Sequence, residues 1–208
     1  MTHTADGHEL RDAVEHLRRS DPVLAAVIER VGPFAMTYRP PTFETLARAI
    51  VFQQLNGKAA RTIWQRLVDA AGGEPLTPEA VLRLRMPTLR RVGLSRQKAA
   101  YVRELARHTA SGTVDFEALP AMTDADVVAM LTRVKGIGVW SAHMFLIFAL
   151  RRHDVLPVGD YGVRAAIKKL YRKRQLPAAR DMERLARSWR PYCSVACWYL
   201  WRSQDTAL

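Results

Sequence analysis

At 208 residues and 23.5 kDa the chain can bury one sizeable core or two small lobes; it is too long for a disulfide-stapled mini-fold and too short for several independent domains. An apolar fraction of 49%, a charged fraction of 25% and a mean hydropathy of −0.14 exclude a disordered chain. Only two cysteines, Cys193 and Cys197, exclude a disulfide framework, an all-cysteine zinc site and an iron–sulfur cluster built from this chain alone.

Helix signals dominate along the chain. Asp21-Pro22 pairs a capping residue with proline at the first helical position and leads Val23, Leu24, Val27 and Ile28 to Gly32. Thr42 can cap the stripe Phe43, Leu46, Ala47, Ile50, Val51, which Asn56-Gly57 interrupts before Ala60 to Val68 resumes it up to Gly72-Gly73. Thr77-Pro78-Glu79 starts another helix, and Pro87 starts a short one that Gly93 ends. Ser95 caps the next, whose Ala99, Val102, Leu105, Ala106 face leads to Gly112. Thr123 with Asp126 has capping-box spacing with a shorter acid than the usual Glu. Helices over 139–150, 161–173, 178–189 and 192–203 complete the set, about ten in all, with no internal repeat. The predicted class is all-α.

Lys plus Arg number 32 against 20 acidic residues, a net charge of +12 that implies an anionic partner, most often nucleic acid. Residues 41–112 carry twelve basic and five acidic side chains, and residues 151–208 carry thirteen and five. Residues 1–40 and 113–150, by contrast, are slightly acidic. The two basic blocks are either solvated helical faces or the walls of an electrostatic groove. The N-terminal residues are polar, without a signal-peptide pattern, and the most apolar stretch, Val139 to Leu150, is too short to cross a bilayer. The expectation is an intracellular, cytoplasmic protein with no membrane partner.

The most informative segment is 131–142, where a helix runs into Gly136-Ile137-Gly138 and a second, apolar helix begins at once. Two glycines around one hydrophobe allow a tight hairpin with φ > 0 and the apolar residue turned inward. The amides of Gly136, Gly138 and Ser141 then sit at a helix N-terminus, where a phosphate is favoured. A plain helix–loop–helix turn is the competing reading. Asp160 follows twenty-two residues after Gly138, at the start of a basic helix, either as an N-cap or as a carboxylate fixed for electrostatic work.

The pair Gly-Ile-Gly-x-Trp-Ser-Ala at 136–142 and Leu-Pro-x-x-Asp-Tyr-x-x-Arg at 156–164 resembles the helix-hairpin-helix DNA glycosylase superfamily, specifically its 3-methyladenine DNA glycosylase II (AlkA-type) branch. Residues 49–60, 93–99 and 189–201 resemble, in order, that family's wedge segment, the turn before its long helix and its C-terminal aromatic helix. The resemblance implies a fold of two helical lobes, one from 41–151 with the hairpin and the other from 1–40 with 152–208, with Asp160 in the cleft between them. The chain departs from some relatives in two expected absences, an N-terminal β domain, since only about 40 residues precede the match, and the four-cysteine iron–sulfur cluster of the endonuclease III branch.

On matching positions it makes Asp160 the catalytic carboxylate and Leu55, with Gln54 beside it, the wedge that replaces an extruded nucleotide. Trp140 and Trp201 become walls of the base pocket, with Tyr161 lining it and Met144 where an aromatic residue is expected. Gly136, Gly138, Ser141 and Lys135 bind DNA phosphates; Lys135 stands where the family usually has proline. The carbonyls of Thr132, Val134 and Ile137 hold a sodium or potassium ion, and no cofactor is required. The implied protein is a monomeric, monofunctional glycosylase for alkylated bases, chiefly 3-methyladenine, in damaged double-stranded DNA, for base excision repair. Two rivals remain. A glycosylase/lyase for oxidised or mismatched bases needs an amine where Trp140 stands, and a non-catalytic hairpin module needs neither Asp160 nor an aromatic pocket. From the residues alone, Leu55 could be core, the tryptophans of 189–201 could be packing, and Cys193 and Cys197 read as buried hydrophobes. The basic run 168–174 is generic, a backbone-facing or solvated surface.

Overall fold

The computed structural model describes residues 3–205, with side chains from His8 onward. Its helices are α1 (His3–Ser20), α2 (Pro22–Val31), α3 (Phe43–Phe52) and α4 (Gly57–Ala71), then α5 (Pro78–Arg83), α6 (Met86–Arg91) and α7 (Arg96–Ala110). There follow α8 (Asp124–Leu131), α9 (Val139–Phe148), α10 (Tyr161–Leu170), α11 (Ala179–Leu185) and α12 (Cys193–Asp205). Two 3-10 turns, Leu119–Ala121 and Ala186–Ser188, are the only other regular elements among the described residues. The chain is all-α.

Most helices begin where a side chain closes an orphan amide. Asp21 accepts from the Val23 and Leu24 amides, and Thr42, Asn56, Thr77, Ser95 and Thr123 each accept from the amide three residues on. At Thr123 the short acid changes the capping box. The Asp126 carboxylate accepts the Thr123 hydroxyl at 2.6 Å, a side-chain pair in place of the usual reach back to the cap's own backbone. Helix α1 was not expected. Its apolar side is only Leu10, Ala13, Val14 and Leu17, a narrow i, i+3, i+4, i+7 stripe in a charged segment. Three expected helices are shorter than their patterns. One ends at Phe148; α10 ends at Leu170, ahead of Arg172 at φ 52°; and 178–189 breaks into α11 and the following 3-10 turn.

The chain divides into two compact units: Arg39–Leu150, and the two chain ends up to Tyr38 and from Arg151. In the continuous unit α7 packs against α3 and α5, while α8 and α9 pair across the hairpin. Its core holds Leu46, Ile50, Leu67, Leu89, Val102, Leu105, Val127 and Leu146. In the unit made from the ends, α12 packs against α2 and α10. Leu17, Leu24, Ile28, Val163, Ile167, Met182, Trp189, Tyr199 and Leu200 form one buried cluster there. Burial of that extent is the main favourable term in folding, about 1.5–3 kcal/mol for each fully buried large apolar side chain.

Candidate active site

The hairpin that joins α8 to α9 is built by successive short backbone bonds, ending with Ile137 N–H to the Val134 carbonyl at 3.0 Å. Val134 and Ile137 are buried, so the apolar residue between the glycines turns inward as expected. The two glycines differ. Gly136 has φ 94°, and a Cβ there would lie 2.2 Å from the Tyr101 ring. Gly138 caps α9 in ordinary extended backbone (φ −93°, ψ 174°), and a Cβ on it would meet nothing within 4 Å. The φ > 0 that the hairpin was expected to need is found at Gly136 alone, because one left-handed residue suffices to reverse the chain. Gly138 caps α9 without a side-chain bond of its own, a helix start of the kind that suits an anion.

Helix α9 is apolar all round because both of its sides are used. Ala142, Phe145, Leu146 and Ile147 are buried, while Trp140, Ser141 and Met144 face a cavity of about 690 Å³. Arg39, Arg48, Phe52 and Phe148 line the same cavity, which therefore unites Trp140 and Met144 as expected. Trp140 is 47% exposed, far more than a packing tryptophan needs. Arg48 was not anticipated. It stands off the buried stripe of α3 with its guanidinium 4.4 Å from the Phe52 ring centroid and 5.4 Å from that of Trp64. A basic residue four before a phenylalanine was the available signal.

Between α3 and α4 the chain makes a tight turn with Gln54 at φ 54°, and Leu55 at its tip is 39% exposed. Leu55 is therefore not a core residue. The turn is held from two sides that the sequence did not reveal. Lys98 donates its ammonium to the Val51 carbonyl at 2.7 Å and to the Gln53 carbonyl, capping the end of α3. Gln53 donates its side-chain amide to the Gly136 carbonyl at 3.0 Å, tying this turn to the hairpin.

Asp160 caps α10. The residue is 7% exposed, and its Oδ1 accepts the Val163 amide at 2.7 Å and the Trp201 indole N–H at 2.9 Å. Gly162 makes room for that contact, since a Cβ there would stand 3.1 Å from both Asp160 Oδ1 and Trp201 Cδ1. Trp201 thus gains a role as a donor beside the one expected of its ring. Tyr161 is 72% exposed at the mouth of a groove along α10. The other two C-terminal tryptophans, Trp189 and Trp198, pack in the core.

Cys193 and Cys197 are buried, and burial pushes both thiols well above their ordinary pKa, so they behave as small hydrophobes. No cluster of His, Cys, Asp or Glu among the described residues could hold a metal ion, and no described helix is long and apolar enough to cross a membrane.

The family model for HhH-GPD superfamily base excision DNA repair proteins matches residues 47–191. Among solved structures the chain is similar to a DNA-3-methyladenine glycosidase from Bacillus halodurans, with 37% identity and a TM-score of 0.85 over 93% of this chain and 89% of that one. It is also similar to a Schizosaccharomyces pombe 3-methyladenine DNA glycosylase in complex with abasic DNA, with 30% identity and a TM-score of 0.82 over 94% and 98% of the two chains. The Saccharomyces cerevisiae DNA-3-methyladenine glycosylase is 30% identical over 93% of this chain and 79% of its own. The matched span runs from α3 through the hairpin to beyond the capping aspartate, and the chain belongs to the HhH-GPD superfamily of base excision DNA repair proteins.

Proposed function

We infer that this protein is a monofunctional DNA-3-methyladenine glycosylase that hydrolyses the N-glycosidic bond of alkylated bases in double-stranded DNA, acting as a monomer with Asp160 as its catalytic carboxylate. The family match and the glycosylase relatives support the reaction class. The observation that carries the residue assignment is the geometry of Asp160: buried, at a helix start, with one oxygen fixed by a backbone amide and an indole N–H.

The mechanism follows from that geometry. A base inside a duplex is out of reach, so the nucleotide is extruded at a cost of a few kcal/mol, and exposed Leu55 fills the gap with Gln54 beside it. An N-alkylated purine carries positive charge, and an indole face such as that of Trp140 attracts it by about 0.5–2 kcal/mol. Trp201, bonded to Asp160, and the adjacent Tyr161 complete the recognition of the sugar and base. The C1′–N bond breaks with its electron pair leaving on the base, which alkylation has made a good leaving group. The sugar becomes an oxocarbenium ion beside the Asp160 carboxylate, and a negative charge held in a water-poor site stabilises it far better than one in bulk water. Water then adds at C1′, with Asp160 orienting it and accepting its proton. Trp140 offers no amine to attack the sugar, so the product is an intact abasic site.

Lys135 and the amides of Gly136, Gly138 and Ser141 take the neighbouring phosphates. The carbonyls of Thr132, Val134 and Ile137 would hold a sodium or potassium ion, which would supply positive charge at that phosphate. The fit is chemical: these are neutral hard oxygens, and the Val134 carbonyl retains a lone pair after accepting the Ile137 N–H.

Asp160→Asn keeps size and capping ability but removes the charge. Base release from a duplex containing 3-methyladenine should drop by orders of magnitude while DNA binding persists. Borohydride should trap no wild-type enzyme–DNA adduct. Near-normal release by the variant would remove Asp160 from the mechanism, and a trapped adduct would overturn the monofunctional reading.

A further inference from the structure

Between Asp160 and Asp181 the chain has seven basic residues and no acidic one. Four of them, Lys168, Lys169, Arg172 and Lys173, line a groove of about 570 Å³ with Tyr161, Ala165 and Leu176. Tyr161, Ala165, Lys168 and Arg172 fall at i, i+4, i+7 and i+11, one face of α10 and its C-terminal turn. That face runs about 16 Å, the rise of about five nucleotides along one strand. It starts at the residue next to Asp160.

Two features bear on what this surface can take. Elsewhere in the same unit Arg184, Arg190 and Arg202 are each ion-paired with an aspartate. By contrast, none of the four groove cations has a carboxylate partner among the described residues. Their charge is left for something outside the chain. Second, α10 ends with Lys173 N–H on the Lys168 carbonyl at 2.9 Å, and Arg172 occupies the left-handed position at φ 52°. Glycine is the usual residue in that place because a side chain there is strained. A strained residue kept in a lining position points to a use for its side chain.

We propose that the groove along α10 is a second DNA contact, which takes consecutive phosphates of the backbone leading away from the Asp160 site. The proposal rests on the DNA glycosylase reading, and its ligand chemistry is the phosphodiester chain, read by charge and not by sequence. Neither the hairpin amides nor Lys135 contribute to it.

Arg172→Gly separates charge from structure, since glycine suits the backbone and removes only the cation. Binding to a lesion duplex of about 30 base pairs would be measured by anisotropy over a range of NaCl concentrations, with thermal unfolding alongside. Arg172→Gly should melt no lower than wild type, yet flatten the slope of log K against log salt by about 0.9. Adding Lys168→Gln, Lys169→Gln and Lys173→Gln should flatten it by about 3–4 in total. A hydroxyl-radical footprint should lose protection on one flank of the lesion and retain it at the lesion. A fourfold variant with wild-type slope and footprint would overturn the proposal, as would lost retention on phosphatidylserine vesicles with DNA binding intact. Wild-type protein that binds the duplex with the expected slope but releases no base would refute the glycosylase reading and leave the groove standing.

Discussion

At Asp160 the capping role and the proposed catalytic role share one oxygen. Oδ1 takes the Val163 amide and the Trp201 indole N–H, so the helix start and the C-terminal helix together fix the carboxylate. Trp201→Phe keeps an aromatic ring and removes the donor. A hydrogen bond to a charged group is worth about 1.5–3 kcal/mol, so single-turnover excision should fall by about tenfold or more with DNA affinity retained. An unchanged rate would reduce Trp201 to a pocket wall. Gly162→Ala tests the same contact from the other side. Alanine improves the helix, by up to about 1 kcal/mol, but its Cβ would press on Asp160 and Trp201 at 3.1 Å. The expected result is a split, with thermal stability maintained and excision reduced; a variant as active as wild type would show that the carboxylate tolerates displacement. Leu55 illustrates the reverse case, a residue whose pattern fits a buried stripe and whose 39% exposure places it outside the core.

At the scale of elements, legibility followed the caps. Helices α2, α3, α5, α7 and α8 each announce themselves by a side chain whose oxygen closes an amide, and those signals are local chemistry that a sequence carries openly. Helix α1 has only a narrow apolar stripe, so its existence depends on packing that becomes visible only in the fold. The hairpin was legible as a motif, but which glycine is conformationally necessary was not, because the answer lies in Tyr101, thirty-five residues upstream. This divides the two substitutions. Gly136→Ala combines left-handed strain, about 1–3 kcal/mol, with a collision against an aromatic ring, and should lower the denaturant midpoint markedly. Gly138→Ala should leave the midpoint within error and weaken DNA binding, because its cost falls on the approaching phosphate. Equal loss of stability in both would remove the distinction. Helix α9 also carries a pH response. Burial, partly offset by Asp124, lowers the His143 pKa below its ordinary 6.5. The unfolded chain then binds the proton more readily, so stability is full above about pH 6.5 and falls as the pH drops below it. His143→Gln should flatten the acid limb of urea-unfolding stability below about pH 6.5; an unaltered limb would assign that limb to other groups.

At the scale of the whole molecule, one compact unit is assembled from both chain ends, so something must join segments far apart in sequence. Apolar packing of α12 on α2 supplies most of the energy, and Asp21 supplies a polar junction. Its Oδ1 caps α2, while its Oδ2 accepts the Tyr171 hydroxyl at 2.6 Å and the Trp189 indole N–H at 2.8 Å, at separations of 150 and 168 residues. Burial, reinforced by the Asp21 carboxylate, holds the Tyr171 phenol far above its ordinary pKa, so it remains a donor throughout the neutral range. The sequence shows Asp21 only as a cap, because its two distant donors come from the other end of the chain. Asp21→Ala would lose the cap, worth about 1 kcal/mol. It would also strand a buried phenol and a buried indole N–H, at about 1–3 kcal/mol each. Against a typical total of about 5–15 kcal/mol, that is enough to leave the unit marginal. Tyr171→Phe removes one donor and should cost about 1.5–3 kcal/mol. The double substitution should cost less than the two singles together, because the second change removes a bond that the first has already broken. A double-mutant cycle read by urea unfolding measures that coupling. A coupling near zero would mean that Asp21 and Tyr171 act independently and that packing alone joins the two ends. A coupling of about 1 kcal/mol or more assigns the joint to the buried carboxylate.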